Sequence, residues 1–417
     1  MAGASSRCAV VGAGIVGLAC AYHLNRAGHN VVLVDRDPEG DRTSFGNAGA
    51  VAVAEILPLP SPGIARKVPG FLFDPLGPLS IRLRYLPWLV PYLRHFLAAS
   101  KPERFRAGTA AMAALLASAM DDHEALLQTI GMSSSLNRKG GLFVYRSERG
   151  RAADEPGWRL RREVGLHAEP LDRRQIEDME PSLGPEAQCG YVTDDWAHYD
   201  DPKALCSGLL AHLRQAGVEV IAAEIADVDF DAARPAALVT RQGKRIAFDH
   251  VVIAAGAWSH QLSRQLGDPF PLETERGYNT TLPDPGVSVS TMTTFAEDQF
   301  VMTPMAMGLR IGGAVEFAGL DAAPNYKRSK ALLKLARRYL PGLNTENGSE
   351  WMGHRPSTPD SLPVIGRSPG HANVIYAFGH GHLGLTGSAT TGRIVAELAA
   401  GRDPGLDLAP FRVSRFR

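Results

Sequence analysis

Two groups of residues capable of chemistry stand near opposite ends of this chain. Near the amino terminus, Gly12-Ala13-Gly14-Ile15-Val16-Gly17 follows the apolar run Cys8 to Val11 and leads into a helix-like run from Leu18 to Ala27; "NVVLVD" then ends at Asp35. Strand, G-x-G-x-x-G, helix, strand and acid, in that order, are the parts of a dinucleotide-binding βαβ unit. Gly12 permits the tight turn, Gly14 lets backbone approach a pyrophosphate, and Gly17 allows close helix packing, while the helix N-terminus offers amide donors to phosphate. Asp35 is placed to accept hydrogen bonds from a ribose diol. The motif alone does not separate FAD from NAD. Toward the carboxy terminus, "WMGHRPSTPDSLPVIG" sets Arg355 among glycine, prolines and apolar residues. A guanidinium there either points into water or has an anionic partner that offsets its desolvation. Pro356 biases Arg355 toward extended backbone, a frame able to aim a side chain.

The elements that must position these groups are spread along the chain. "TSFGNAGAV", Thr43 to Val51, reads as a small-residue loop able to lie against a flat ligand. From Ile56 to Leu97 the sequence is rich in proline, leucine and aromatics, and Pro87 and Pro91 predict short helices or turns at most. Ala107 to Ile130 keeps helical spacing and predicts one amphipathic helix capped by Gly131. "GGLFVY" reads as a strand, Pro202 to Ala216 as a helix, and "VEVIAA" and "AALVTRQ" as strands. "HVVIAAGAWSHQL" reads as a buried strand ending in small residues. Strand-like segments recur from Gly277 to Val315, and a charged helix covers Lys327 to Tyr339. The tail from Asn373 reads as strand, glycine-histidine loop and helix. Nucleotide-like pieces at the start, middle and end predict two interleaved domains.

Composition excludes several classes. With 417 residues, 45% of them hydrophobic, the chain can bury a large core. Lysine plus arginine equals aspartate plus glutamate, 44 against 44, so no overall field draws it to nucleic acid. Cys8, Cys20, Cys189 and Cys206 have neither redox-pair nor metal-site spacing, and no metal is expected. No apolar stretch is long enough for a transmembrane helix. The apolar run after Arg7 mimics a short signal peptide, but its glycine pattern argues for the βαβ unit, so a cytoplasmic location is expected.

Taken together, the amino-terminal motif with Asp35, "SFGNAG", "VVIAAGAWS", "ERGY", "WMGHRPSTPDSLPVIG" and "GHGHLGLT" resemble the D-amino acid oxidase-like flavoprotein family over nearly the whole chain. Closest in look is the bacterial D-amino acid dehydrogenase branch, with glycine oxidase and sarcosine oxidase as relatives. The resemblance implies FAD and an α/β fold: a Rossmann-like FAD-binding domain interleaved with an α+β substrate domain on a mostly antiparallel sheet. The expected division is 1–60, 195–262 and 346–417 for FAD and 61–194 and 263–345 for substrate. It implies that Gly12, Gly14, Ile15, Val16, Gly17, Asp35 and Arg36 hold the ADP part, and that Ser44, Asn47, Ala48 and Gly49 cover the pyrophosphate and flavin. Ile225 stands where the family supplies backbone to adenine. Ala255, Gly256, Trp258 and the run Gly381, His382, Leu383, Gly384, Leu385 and Thr386 match segments around the isoalloxazine and ribityl chain. Tyr278 and Arg355 match the substrate-binding tyrosine and arginine, and His380 is expected close to the flavin.

The sarcosine oxidase relatives tether flavin through a cysteine near the segment that here reads "GHRPSTPD", and none follows Cys206, so non-covalent FAD is expected. The implied reaction is oxidative deamination of D-amino acids, D-proline or its hydroxylated forms among the candidates, by hydride transfer from Cα to flavin. The imine then hydrolyses to keto acid and ammonia. One alternative is an oxidase or dehydrogenase of glycine, sarcosine or another secondary amine. Another, of a different class, is a FAD-holding subunit without chemistry of its own. Expected partners are an amino acid and an electron acceptor, quinone or oxygen. Phe71 to Leu97 mixes Tyr85, Trp88 and Tyr92 with Arg82, Arg84 and Arg94, which suits peripheral contact with the inner face of a membrane. A surface or lid of the substrate domain is the plainer reading, because the prolines interrupt a long helix.

Overall fold

The computed structural model describes residues 6–66 and 79–417. Strand β1 (Arg7–Val11), helix α1 (Ile15–Arg26) and strand β2 (Asn30–Asp35) form the expected βαβ unit. They sit in a six-stranded sheet with the order Glu219–Ala222, β2, β1, His250–Ile253, Val374–Phe378, Val364–Arg367. The first five strands run parallel and the last is antiparallel. Such a sheet is covered on both faces, which is why its strands read as apolar runs. On one face α1 packs tightly against the helix Ser388–Ala399, where a Cβ on Gly392 would lie 2.5 Å from the Ala19 carbonyl oxygen.

The second large element is a nine-stranded, mostly antiparallel sheet. One edge runs Ser349–Ser357, Glu273–Leu282, Gly308–Phe317, Phe300–Met305, and the short strand Leu79–Ile81 pairs with the end of Gly308–Phe317. Helix Lys327–Tyr339 packs on one face through Leu332, Leu335, Ala336 and Tyr339. The other face looks toward the nucleotide-type sheet.

Three expectations are corrected. Ala107 to Ile130 is two helices, Pro102–Leu116 and Ala119–Ile130, the second ending at Gly131 with φ 72° as its cap requires. Leu86–Ala99 is a continuous helix despite its prolines. Pro87 sits in the first turn, where no amide partner is needed, and Pro91 removes one hydrogen bond in the next turn, a loss offset by burial of Leu89 and Tyr92 against Phe317. Finally, Ser349–Ser357, expected with the FAD-binding part, is hydrogen-bonded along Glu273–Leu282 in the large sheet. Conversely, Leu126 and Leu127 of the 61–194 stretch join the core beneath the parallel sheet. Phe71 to Pro78 of the suggested membrane patch lies outside the described residues. Beyond it Leu83, Trp88, Val90 and Leu97 are exposed. Among the described residues no helix is long and apolar enough to cross a membrane.

Candidate active site

A cavity of about 1110 Å³ runs between the two large sheets, from Asp35 and Ile225 at one end to Arg355 and His382 at the other. Its first end is the glycine turn. Gly12 has φ 109°, and a Cβ there would lie 2.3 Å from the Ala254 carbonyl oxygen, so only glycine fits between β1 and the strand His250–Ile253. A Cβ on Gly17 would meet the Gly12 carbonyl oxygen at 1.8 Å, which holds α1 against the turn. Asp35 accepts the Ala13 amide at 2.7 Å and the Asp37 amide at 2.9 Å, so its carboxylate also braces the turn. Arg36 lies over the Trp258 ring at 4.1 Å, so Trp258, expected near the isoalloxazine and ribityl chain, packs here against the residue that follows Asp35. Gly14, Ile15, Val16, Ile225, Ala255 and Gly256 all line this part.

The small-residue loop lies over the middle of the cavity. Ser44 Oγ accepts the Ile15 amide at 2.9 Å, and Asn47 closes the loop by accepting the Gly49 amide and donating to the Ser44 carbonyl. The large sheet clamps this loop from the other side. Asn279 Nδ2 donates to the Gly46 carbonyl at 2.7 Å, and Arg310 Nη1 donates to the Asn47 carbonyl at 2.7 Å. Burial pulls the Arg310 guanidinium below its ordinary pKa. Thr386 ties in Ala50 and Ala52, while buried His123 bonds the Leu385 and Thr386 carbonyls and the Tyr199 hydroxyl.

The far end brings Arg355, Glu275 and His382 together, and Tyr278, though it also lines the cavity, turns its hydroxyl to Glu316. On the ladder Arg355 pairs with Glu275 and Tyr278 with Met352. Because side chains alternate across a strand, Glu275, Gly277 and Asn279 face the cavity and Arg276 and Tyr278 point to the opposite face of the sheet. A Cβ on Gly277 would lie 2.5 Å from the Arg355 Cζ, so the guanidinium lies across that glycine. The Tyr278 hydroxyl donates to Glu316 Oε2 at 2.5 Å and accepts the Asn325 amide at 3.0 Å; burial and that carboxylate push it up to about 12. The Tyr278 hydroxyl, expected to join Arg355 on one substrate carboxylate, is engaged here by Glu316 and the Asn325 amide.

Among the described residues Arg355 makes no ion pair or hydrogen bond of its own. Of the two acids nearest to it in sequence, Asp360 is held by Arg415 at 2.8 and 2.9 Å and Glu350 accepts the Ser329 hydroxyl at 2.7 Å. Burial lowers the Arg355 pKa and Glu275 counteracts this. Glu275 is 4% exposed and accepts the Ser357 hydroxyl at 2.6 Å. His380 is buried, shares a hydrogen bond of 2.9 Å with Thr391 Oγ1, and is pulled down to about 4 by desolvation. His382 lines the cavity and is exposed to its solvent. Desolvation pulls it to about 4 as well, Glu275 opposing and Arg355 adding to the shift.

The family model for "FAD dependent oxidoreductase" matches residues 7–398. The chain belongs to this family. It is 39% identical over 415 residues to a D-amino-acid oxidase of Bradyrhizobium diazoefficiens, covering 98% of each chain. It is 30% identical to a D-amino acid dehydrogenase of Sinorhizobium medicae over 98% of this chain and 99% of that one. Glycine oxidase from Geobacillus kaustophilus shares the fold with a TM-score of 0.76 at 21% identity, covering 99% of both chains.

FAD is thus the oxidoreductase's cofactor, and the residues present fit it. A glycine cradle that any Cβ would fill opens a helix, an acid ends the second strand, and small residues line the remaining path. Sequence reasoning missed Glu275, Gly277, Asn279 and Arg310. The first two stood in the quoted "ERGY", and period-two alternation could have put them on Arg355's face. The clamp of Asn279 and Arg310 had no local signal.

Proposed function

We propose that this oxidoreductase oxidises D-amino acids, with Arg355 holding the substrate carboxylate. The observation that carries the reading is a guanidinium that makes no hydrogen bond or ion pair among the described residues, at the end of the cavity that begins at the dinucleotide turn. A planar fork binds a carboxylate bidentately, and that contact offsets its desolvation. Both curated relatives are named for D-amino acids, which supports the substrate class. FAD, when bound, would supply the two-electron acceptor for the hydride from Cα. Arg355 fixes the carboxylate and thereby the direction of the Cα–H bond, worth several kcal/mol through positioning. His380 and His382 stay neutral at physiological pH and add no charge beside the reacting carbon. The imine product is hydrolysed to keto acid and ammonia.

The reading extends to a cytoplasmic enzyme of amino acid catabolism with a discontinuous FAD-binding domain, in which residues 349–357 go with the substrate sheet. The lack of a cysteine among the described lining residues supports FAD held without a cysteinyl bond. The electron acceptor is a quinone or oxygen. Exposed Leu83, Trp88 and Val90 beside Arg84 and Arg94 support peripheral membrane contact, which co-sedimentation with anionic liposomes tests. The central test is anaerobic bleaching of the bound flavin by a panel of D-, L- and N-methyl amino acids. Bleaching by D-amino acids is expected. Bleaching by L-amino acids alone, or by none, overturns the proposal.

A further inference from the structure

Resting on that reading of the site, we infer that the preferred substrate carries a bulky apolar side chain, received by a wall of Val315, Phe317, Leu79, Ile81, Leu93 and Phe96. The ladder registers set out the cavity floor in rows. In one row Gly353 pairs with Gly277, Gly277 with Val315, and Val315 with Leu79. The Arg355 guanidinium lies across Gly277. Adjacent strands are about 4.8 Å apart, so the apolar wall begins one strand from the guanidinium and continues to the second. In the next row Arg355 pairs with Glu275, and farther across Phe317 pairs with Ile81. Leu93 and Phe96 of the helix Leu86–Ala99 face the same space, and with Tyr92 they pack on the cluster that holds Phe317, Leu79 and Ile81. A carboxylate seated on Arg355 therefore sends the rest of the molecule along this surface.

Charge in the cavity points the same way. Among the described lining residues the other arginines are engaged: Arg36 over Trp258, Arg42 on backbone carbonyls of Ala13 and Pro38, and Arg310 on Thr281 and the Asn47 carbonyl. Among the described lining residues, a second carboxylate on the substrate would meet Glu275 and no arginine or lysine left without a contact. The Tyr92 hydroxyl is taken by Ser357 and the Thr358 carbonyl. A basic side chain would add a charge to a site where Arg355 and Glu275, with a zwitterionic substrate, already balance.

The test uses the FAD-loaded full chain in two measurements. In steady-state kinetics, kcat/KM for D-phenylalanine, D-leucine and D-methionine is expected to exceed that for D-alanine, D-glutamate and D-lysine by at least about tenfold. In the second, acetate, butyrate and hexanoate are titrated while the visible flavin spectrum is followed. Each added methylene is expected to tighten the dissociation constant by about fourfold. Leu93→Arg, placed on the helix so that the sheet is untouched, should flatten that series and raise D-glutamate relative to D-leucine. A preference for glycine, D-glutamate or D-lysine, or a flat carboxylate series in the unaltered protein, overturns the inference while leaving amino acid oxidation standing. If no amino acid reduces the flavin, the functional reading fails, and the carboxylate series still decides the apolar wall.

Discussion

The strand Glu273–Leu282 carries an arginine network on one face and lies against a second arginine on the other, and the two are in opposite states. Away from the cavity, Arg276 is fully buried, donates to Glu316 Oε2 at 3.1 Å and to the Ala322 carbonyl at 2.5 Å, and shares that carboxylate with the Tyr278 hydroxyl. Arg82 reaches the other oxygen of Glu316 at 2.9 Å and so fastens the end of the Leu79–Ile81 strand to the sheet. Three side chains of this network thus converge on one buried carboxylate, although the buried Arg276 Nε keeps no hydrogen-bond partner. Toward the cavity, Arg355 lies over Gly277 with Glu275 beside it on the ladder and makes no ion pair of its own. A buried arginine with internal partners braces a fold; a partly buried one that pairs with none of the described residues is poised for an anionic ligand.

The strongest way to break this contrast is Arg355→Leu. It should cost about 2 to 5 kcal/mol in apparent substrate affinity, the usual cost of deleting one member of a buried charge pair, with FAD content and melting temperature retained. Arg355→Lys should rescue only part, because a point charge lacks the planar fork. Unchanged steady-state constants would place Arg355 outside the site. Next, Tyr278→Phe removes a donor from a buried carboxylate and should lower stability by about 1.5 to 3 kcal/mol, read as a fall in melting temperature with KM unaltered. A raised KM at unchanged stability would return Tyr278 to substrate binding.

Gly277→Ala sharpens the comparison from the cavity side. Its backbone does not need a positive φ, so the new methyl acts only by pushing the Arg355 guanidinium aside, and overpacking of about 1 to 2 kcal/mol should appear as a higher KM with normal flavin absorbance. The smallest effect concerns pH. His380 and His382 are pulled to about 4, so kcat/KM should show no histidine limb between about pH 5 and 8 set by these two groups. For buried His380, an ordinary unfolded-state histidine near 6.5 takes up a proton that the folded state refuses until about 4. Its contribution to stability is therefore intact above 6.5 and is lost as pH falls toward 4. Replacing His380 with Gln and repeating the pH series of melting temperatures checks this, and an unchanged acid slope would refute it.

The parts of the fold legible in the sequence are those governed by near neighbours. Gly12, Gly14 and Gly17 with Asp35 form one local βαβ unit, and the helix Lys327–Tyr339 starts and ends where its pattern does. Leu86–Ala99 escaped because proline's local cost was overridden by packing against Phe317. Ser349–Ser357 escaped because its hydrogen-bonding partner lies far away in sequence. The sequence by itself determined a dinucleotide cradle, a cofactor class through the resemblance, and Arg355 as a cation that either faces water or needs an anion. Only the tertiary structure decided which residues stand with it. Register and alternation on the Glu273–Leu282 ladder turn Glu275 and Gly277 toward Arg355 and Tyr278 toward Glu316, since a shift of one residue in a strand reverses every side chain.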